Sequence, residues 1–500
     1  MRAGLLALAL LASPGLLTAQ LSDAEAAFRR GDYGAARTAY ERVLATDSLN
    51  IRAISQLAVL DSWDGKLSRS LQLFARARRL VPSDADIMLS QAQVLAWAGK
   101  LRVAKALYDS VLARSPDRSD ALAGRARVIA WSGDLDRAEE LWRTALEHHP
   151  DDADLLIGLA QTLYWKGQPG LAEAYAVRAR ALAPEDRTAR DLERVLRAAL
   201  RPELAISMDG ATDSDDNDFV AQEGTLTTSL GTVVRGTLRA GWRHGTDPRG
   251  RGTSLGGGGV LIAALGHGAV LRAGLGVRRI ESDTSLAHTP LPARTPLTAE
   301  LGLGLRPARY AAVSAGYSRT PFDETAGLMR QNLMIDAVDV NVDISPGPGW
   351  SVSGSGGGAW LSDRNRRYSA VGAVLGRVAK GLQIGPFARV LGYRHSRPGL
   401  YFTPVQFGVI EGRAVYQWQR SGWGLRADGG LGSQQVHVFG SPASHQTEWH
   451  IGASLSRDWG ANNEIALVGS ITNSAAAATA GAVTAGFRYR TLGLRFRQGL

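Results

Sequence analysis

The chain has 500 residues and a formal net charge of +10, a length typical of two or three domains. It contains no cysteine, which excludes disulfides, thiolate metal sites, cysteine nucleophiles and a lipid-modified cysteine anchor. Residues 201–500 carry +8 of the charge and residues 20–200 carry +1. Because the basic residues are dispersed rather than clustered, the composition disfavours a nucleic-acid-binding protein.

Residues 1–19 have the three parts of a secretory signal peptide. Arg2 gives a positive start, Leu5 to Leu11 form an apolar run, and Leu17 to Ala19 form a small-residue cleavage site before Gln20. The apolar run is too short for a membrane anchor, which is the alternative interpretation. No other segment has the ~20 apolar residues of a transmembrane helix, so the sequence predicts no helical membrane domain.

Residues 20–200 repeat with a period of 34. The period is carried by a glycine, a tryptophan and a proline series: Gly31, Gly65, Gly99, Gly133 and Gly167; Trp63, Trp97, Trp131 and Trp165; Pro82, Pro116, Pro150 and Pro184. A small residue lies twelve positions before each proline: Ser70, Ala104, Ala138 and Ala172. Eight positions before the proline, three repeats have an aromatic residue, Phe74, Tyr108 or Trp142, and the fourth has Ala176. This is the tetratricopeptide (TPR) pattern.

The pattern has a physical explanation. The glycine ends helix A, the small residue lets helix B approach closely, the aromatic side chain fills the gap between repeats, and the proline ends helix B. The sequence therefore predicts a solenoid of about five repeats, the first of which, at 21–50, lacks the tryptophan and the proline. Residues 185–200 are predicted to form a charged capping helix.

The four tryptophans allow two interpretations. The favoured one places Trp63, Trp97, Trp131 and Trp165 at the end of helix A, packed inside the solenoid. The alternative places some of them in a groove, where they would stack on a sugar or hold a partner protein. TPR solenoids are binding scaffolds, so we expect this half of the chain to hold a periplasmic partner or to extend the route to the pore.

Residues 201–500 form a succession of short segments in which apolar and polar residues alternate. In one of them Val234, Leu238 and Trp242 share one face, while Arg235, Arg239 and Arg243 share the other. About sixteen such segments follow one another with no helix to cover them. The sequence predicts an antiparallel transmembrane β-barrel of about 16 strands that is apolar outside and polar inside.

The connections between the predicted strands alternate between long and short. Long polar loops are predicted at 213–218, 244–252, 282–296, 320–329, 362–366, 395–402 and 435–444, and short turns at 306–308, 345–349, 379–381 and 420–422. This is the asymmetry of outer-membrane barrels, whose short turns face the periplasm. The aromatic residues then fall near two rims: Trp350, Trp418, Trp423 and Trp459 by the short turns; Trp242, Trp360, Tyr393 and Phe402 by the long loops.

The last predicted strand, at 480–490, raises a question of register. Leu492, Leu494 and Phe496 form a further apolar face in the opposite phase. Bacterial barrels usually have an even number of strands. Either one early candidate is not a strand, or the final strand begins later than residue 480.

Catalytic and metal-binding motifs are absent from the sequence pattern. The barrel histidines have no nucleophile elbow or ligand spacing around them. His437, His445 and His450 fall in one hairpin and are interpreted as loop and lumen residues. We expect no enzyme activity, no cofactor and no metal.

The predicted lumen carries many charged side chains. Arginines on inward-facing positions are Arg235, Arg239, Arg243, Arg272, Arg278, Arg389, Arg488 and Arg490, and candidate partners for them are Asp339, Asn341, Asp343 and Glu464. Such pairs either satisfy one another or bind a passing hydroxyl-rich or anionic chain.

The order of signal peptide, TPR array and C-terminal barrel resembles the outer-membrane exporters of bacterial exopolysaccharides. Residues 317–325 (YSRTPFDET) resemble a segment of the cellulose synthase operon C barrel, through Arg319 and Pro321. Residues 399–404 (GLYFTP) resemble a second segment, through Tyr401, Phe402 and Pro404. Residues 128–133 (VIAWSG) are similar to repeats of poly-N-acetylglucosamine exporters and the YaiO family.

The resemblance implies a passive conduit in the outer membrane that exports a cellulose-like or other exopolysaccharide. Its TPR domain would lie in the periplasm and bind periplasmic or inner-membrane synthase components, and its outer loops would gate the lumen. The array is shorter than is usual for cellulose exporters. The alternatives are a general porin or small-solute channel, and a barrel-anchored scaffold whose lumen is closed.

Overall fold

A computed structural model describes residues 14–500 except 267, 285–288, 309, 348, 398–400, 461 and 475–486. The predicted signal peptide lies outside the described residues up to position 13, and its cleavage stays a prediction. In the described part, helices fill the chain up to Leu200. They are α1 Pro14–Arg29, α2 Tyr33–Thr46, α3 Ile51–Trp63, α4 Leu67–Leu80, α5 Ala85–Trp97, α6 Leu101–Leu112, α7 Ser119–Ser132, α8 Leu135–His148, α9 Ala153–Trp165, α10 Pro169–Leu182 and α11 Arg187–Leu200.

The ends of the helices follow the repeat pattern. The five repeat glycines have φ between 73° and 97°, a region that favours glycine, and each of them ends the first helix of a pair. Asp32, Asn50, Asp84 and Asp134 begin helices, and the side chain of each accepts a hydrogen bond from a backbone N–H three residues later. The helix pair α1–α2 forms without the tryptophan and the proline, and α11 corresponds to the predicted capping helix.

The aromatic positions of the repeat are the core of the solenoid. Phe74, Tyr108 and Trp142 are buried. The ring of Trp142 lies against the Cα of Gly158, and its indole Nε1 donates a 3.0 Å hydrogen bond to Thr162 Oγ1. Tyr108 packs on Gly124 in the same way, and burial raises the pKa of Tyr108 to about 12. Glycine on the facing helix therefore provides the space for the rings of Tyr108 and Trp142.

We predict that Gly158→Ala destabilises the solenoid although alanine favours helices. The new methyl group would overlap the Trp142 ring, and overpacking a filled core costs about 1–3 kcal/mol, more than the ~1 kcal/mol gained in helix propensity. The measurement is denaturant unfolding of the full chain, followed by circular dichroism at the helical minimum.

The matched control is Gly34→Ala in α2. The nearest atom to a methyl group there is Asp32 Oδ1 at 3.9 Å, so only the helix propensity changes. We expect this variant to be as stable as the wild type or more stable. Equal stabilisation by both substitutions would contradict the close packing of Trp142.

Strands begin at Glu203. They are β1 Glu203–Asp213, β2 Asp218–Ser229, β3 Val234–Asp247, β4 Gly250–Gly266, β5 Ala269–Thr284, β6 Thr289–Pro290, β7 Leu297–Ala308, β8 Ala311–Pro321, β9 Met334–Gly347, β10 Trp350–Leu361, β11 Arg366–Ala379, β12 Leu382–Tyr393, β13 Gln406–Arg420, β14 Trp423–His437, β15 Ser444–Trp459, β16 Asn463–Thr472 and β17 Tyr489–Gly499. A short helix, α12 Ala326–Arg330, lies between β8 and β9.

All strands except β6 form one closed antiparallel barrel. Each pairs with the next along the chain, and β17 returns to pair with β1, from Glu203 opposite Gly499 to Asp213 opposite Tyr489. The two-residue strand β6 pairs only with the end of β5. Within the described residues the barrel therefore has sixteen strands, as predicted.

Three predicted boundaries differ from the strands of the structure. The last strand, β17, begins at Tyr489, which explains the second apolar phase; the predicted start at 480 lies outside the described part of the chain. The predicted long loop at 244–252 is mostly strand, because β3 and β4 pair as far as Asp247 opposite Gly250. The predicted turn at 306–308 is likewise the end of β7.

The outer face of the barrel is apolar. Leu238, Leu275, Ile410 and Leu431 are between 66 and 72% exposed, as expected for side chains that face lipid. We call the end of the barrel with the connections 322–333 and 394–405 the loop rim, and the other end the turn rim. Trp350, Trp418, Trp423 and Trp459 are exposed near the turn rim, and Trp242 and Trp360 near the loop rim. Tyr393 and Phe402, which were predicted to belong to the loop-rim girdle, are buried instead.

The chain divides into two compact units, Met1–Thr162 with Tyr175–Ala189, and Leu163–Ala174 with Arg190–Leu500. The change from helix to strand falls at 201–202, between α11 and β1. None of the described helices is both long and apolar enough to cross a membrane.

Candidate functional site

The connection between β8 and β9, residues 322–333, folds into the mouth of the barrel; we call it the crossing loop. Pro321 ends β8, since proline cannot donate to a strand ladder. Phe322 N–H donates to Leu333 O at 2.9 Å and closes the neck of the loop. Thr325 Oγ1 accepts from the Leu328 N–H at 3.3 Å and caps α12.

Asp323 fixes the crossing loop to the inner wall. Its carboxylate accepts from Arg243 of β3 at 3.0 Å, from Arg278 of β5 at 2.9 Å and from Ser254 Oγ of β4 at 2.7 Å. The Asp323 side chain is 5% exposed. A carboxylate held by two guanidinium groups and a hydroxyl away from solvent makes charge-assisted bonds, which are stronger than neutral ones.

Helix α12 lies against the inner faces of β3, β4 and β5. Gly245 of β3 and Gly252 of β4 face inward, on the same sides of their strands as Arg243 and Ser254. A side chain at Gly245 would meet Ala326, and a side chain at Gly252 would meet Met329. Arg330 pairs with Asp247 at the end of β3, and Arg294 donates to Met329 O at 2.8 Å. The loop therefore occupies part of the lumen near the loop rim.

The other side of the crossing loop is apolar. Phe322, Leu328 and Leu333 are buried with residues on the inner faces of β9, β10 and β12, namely Ile335, Ala359, Leu361 and Tyr393. The crossing loop thus contacts the wall at β3, β4 and β5 on one side and at β9, β10 and β12 on the other.

The connection between β12 and β13, residues 394–405, meets the crossing loop; we call it the aromatic loop. The ring of Tyr401 lies 5.6 Å from that of Phe322, edge to face. Tyr401 is buried, and its hydroxyl donates to Asp363 Oδ2 at 2.8 Å and accepts from Asn365 Nδ2 at 3.0 Å. Burial, and then the Asp363 carboxylate, raise the pKa of Tyr401.

The residues of the two resembling segments do not all meet. Tyr401 contacts the other segment, 317–325, because its ring packs against that of Phe322. Phe402 belongs to a separate buried cluster with Phe407, and Pro404 O accepts from the Tyr393 N–H at 2.9 Å. Arg319 lies on the outward face of β8 and pairs with Asp336 at 2.9 Å.

Most of the predicted lumen arginines are on the inner wall. Because side chains alternate along a strand, the positions that face inward are those of Arg235, Arg239, Arg243, Arg272, Arg278 and Arg389. Asp339 and Asp343 of β9 also face inward. The prediction is wrong for Arg490, which shares the outward parity of Leu492 and Leu494. Arg488 precedes β17, and its backbone N–H donates to Ser214 Oγ at 3.0 Å.

The ionic partners in the lumen differ from the predicted ones. Glu300 of β7 accepts from Arg272 at 3.1 Å and lies 3.5 Å from Arg239, while Asp323 pairs with Arg243 and Arg278. Asp339 accepts from Asn341 at 2.9 Å, and Glu464 pairs with Arg497 at 2.8 Å. The alternation of Glu300 with Leu301 and Leu303 could have placed Glu300 inside, whereas nothing in the sequence pattern assigns a loop aspartate to the lumen.

The tryptophans of the repeats are mostly on the surface. Trp63, Trp97 and Trp165 are 51, 46 and 37% exposed, so the favoured interpretation of inward packing does not hold for them. Trp63 stacks on Phe28 and meets Tyr33 edge to face, with ring centroids 5.6 and 5.0 Å apart. Trp131 packs at the edge of a buried cluster.

Residues 132–196 match the family model of the tetratricopeptide repeat. No curated protein sequence matches the chain. Among solved structures, a "Bacterial polysaccharide outer membrane secretin" is similar with a TM-score of 0.46 and 14% identity over 60% of this chain and 99% of that chain.

Two TPR proteins are similar to the helical part. One, from Parabacteroides merdae, has a TM-score of 0.35 and 18% identity over 38% of this chain and 72% of that chain. The other, a thermophilic TPR protein from Thermus thermophilus, has a TM-score of 0.33 and 22% identity over 37% of this chain and 98% of that chain.

We predict that Tyr401→Phe loosens the aromatic loop without changing the barrel. The variant keeps the ring but loses the hydrogen bond to a carboxylate, at a cost of about 1.5–3 kcal/mol. The measurement is the rate of tryptic cleavage after Arg394, the exposed first residue of this loop, and we expect the rate to rise about tenfold or more. Tyr416→Phe, an exposed tyrosine on β13, is the control and should leave the rate unchanged.

Proposed function

We propose that this protein is an outer-membrane conduit for the export of an exopolysaccharide, cellulose-like or related, with a passive rather than a catalytic role. The observation that carries the proposal is a closed sixteen-strand barrel with a charged inner wall and a loop held across its mouth. An apolar outer face and a polar lumen fit a membrane-spanning conduit.

The chemistry of the lumen fits a hydroxyl-rich chain. A cavity of 280 Å³ on the inner wall is lined by Glu223, Arg239, Arg278 and Glu300, among others. Ion pairs of this kind present donors and acceptors side by side, so they can exchange hydrogen bonds with successive sugar hydroxyls. The wall binds such a chain weakly at many points and therefore lets it move.

The solenoid is proposed to lie in the periplasm. The first barrel strand begins at Glu203, three residues after α11 ends at Leu200, and the last strand ends at Gly499. Both of these strand ends lie at the turn rim. Short turns face the periplasm in outer-membrane barrels. Tyr33 and Trp63, which are exposed beside the half-buried Phe28, then form a surface on which a periplasmic or inner-membrane synthase component could dock.

A second candidate function is a barrel-anchored scaffold with a permanently closed lumen. The crossing loop favours it, because the loop is fixed by buried ion pairs on one side and by an apolar cluster on the other. The two functions differ in whether the loop leaves the lumen.

The test is the conductance of the full chain in planar bilayers, compared with that of Asp323→Ala. Removing one partner from a buried ion pair costs about 3–5 kcal/mol. The loss leaves Arg243 and Arg278 unpaired, so we expect the crossing loop to detach and the current to rise several-fold. Asp336→Asn, which breaks an ion pair with Arg319 on the outer face, is the matched control and should behave as the wild type.

Oligosaccharides distinguish the remaining possibilities. In the conduit, added oligosaccharides of the exported type should block the current of Asp323→Ala, and deletion of the gene should remove a surface polysaccharide. A current that no oligosaccharide reduces would indicate a general porin. No current in either protein would favour the closed scaffold.

A further inference from the structure

The inner wall of β13, β14 and β15 holds a cluster of charged side chains away from the crossing loop. Glu411 on β13 and Glu448 on β15 have side chains 1 and 4% exposed, and His450 lies beside them on β15. One ligand atom from each of the three residues lies within 4.8 Å of the other two. What this cluster binds does not depend on which substrate the barrel is proposed to export.

The register of the strands explains why these side chains meet. Glu411 is opposite Gly432, which is opposite Glu448; in the neighbouring row Arg413 is opposite Gly430, which is opposite His450. The middle strand thus has no side chain in either row. A methyl group on Gly430 would overlap both Glu411 Oε2 and His450 Cε1. Side chains of the two outer strands therefore converge over the middle strand.

The carboxylates are only partly satisfied. Arg413 donates to Glu411 Oε1 at 2.6 and 2.9 Å. Oε2 of Glu411 and Oε2 of Glu448 accept no hydrogen bond from the described residues. A buried carboxylate oxygen without a hydrogen-bond partner is costly, and two of them side by side repel each other. A bound cation would remove both costs.

The two ring nitrogens of His450 face different groups. Nδ1 lies 3.2 Å from Glu411 Oε2 and 3.8 Å from Glu448 Oε1, while Nε2 lies 3.4 Å from Asp428 Oδ2. A metal-bound histidine usually gives its second N–H to a carboxylate, which fixes the ring. Asp428 is placed for that role, with Nδ1 free to bind the metal.

We propose that Glu411, Glu448 and His450 form a binding site for a divalent transition-metal ion of the Zn²⁺ type, with Asp428 positioning His450. Two carboxylates and an imidazole suit Zn²⁺, whereas Mg²⁺ and Ca²⁺ prefer oxygen ligands alone. The three carboxylates in contact with His450 attract the ion, and Arg413 offsets one of them. Arg389 and Arg426 line the same 510 Å³ cavity. The metal would tie β13 to β15 across the glycines of β14.

The test is titration of the purified, chelator-stripped full chain with Zn²⁺ by calorimetry, with metal content checked by mass spectrometry after desalting. We expect one Zn²⁺ per chain that is lost in Glu448→Gln and in His450→Gln. Asp428→Asn should weaken Zn²⁺ binding about 10–100-fold, as expected for a group that orients a metal ligand. Circular dichroism should show the same strand content in all variants.

Matched controls separate this site from surface binding. His445→Gln changes a histidine on the same strand, and His149→Gln changes a solenoid histidine that lies 3.1 Å from Asp117. Both should keep the Zn²⁺ of the wild type. Gly430→Ala, which leaves all the ligands in place but fills the space between them, should abolish binding.

Two results would overturn the proposal. One is the absence of Zn²⁺ binding by the wild type at micromolar metal. The other is binding that survives in Glu448→Gln and His450→Gln while it is lost in His149→Gln, which would place the ion on the solenoid.

Discussion

Closure of the sheet is the constraint on which the barrel depends. Inside a bilayer each unpaired backbone group costs several kcal/mol, so a transmembrane sheet cannot leave an open edge. The pairing of β17 with β1 along all eleven residues of each strand removes the last edge. Closure also fixes which side of every strand faces lipid, because side chains alternate. The outward leucines and the inward arginines are two results of the same hydrogen-bonded ring.

On the inner wall, the charged arginine side chains are neutralised by acidic side chains. Arg243 and Arg278 meet Asp323, and Arg239 and Arg272 meet Glu300. One of these acceptors belongs to the wall and the other to a loop. The loop acceptor makes the electrostatic balance of β3 and β5 depend on where the crossing loop lies. Moving the crossing loop away from the wall would leave Arg243 and Arg278 without this carboxylate.

Much of the fold can be predicted from the sequence. The 34-residue period gives the helix pairs, because the turn glycines, the buried aromatic residues and the prolines each have one physical role. The alternation of apolar and polar residues predicts the strands and shows which side of each strand faces outward. The register at the C-terminal end is harder, since 474–486 is rich in alanine and carries no alternation from which to read a strand.

The candidate site is less accessible to sequence reasoning because its contacts join distant positions. Asp323 lies 80 residues from Arg243, and Glu411 lies 37 positions before Glu448. Their proximity follows from strand register, which single residues do not reveal. Tyr393 and Phe402 show the related limit, since an aromatic residue near a rim can face lipid or pack under a loop, and only the tertiary structure decides.

The seam between β1 and β17 also has a consequence for biogenesis. The two strands are separated by almost the whole length of the barrel segment, so the ring cannot be completed until Gly499 has left the ribosome. Until then fifteen strands present two unpaired edges, which are templates for aggregation. Contacts of such long sequence separation also form slowly. The sheet is therefore most exposed to aggregation before its last strand pairs, and the β1–β17 seam sets when that exposure ends.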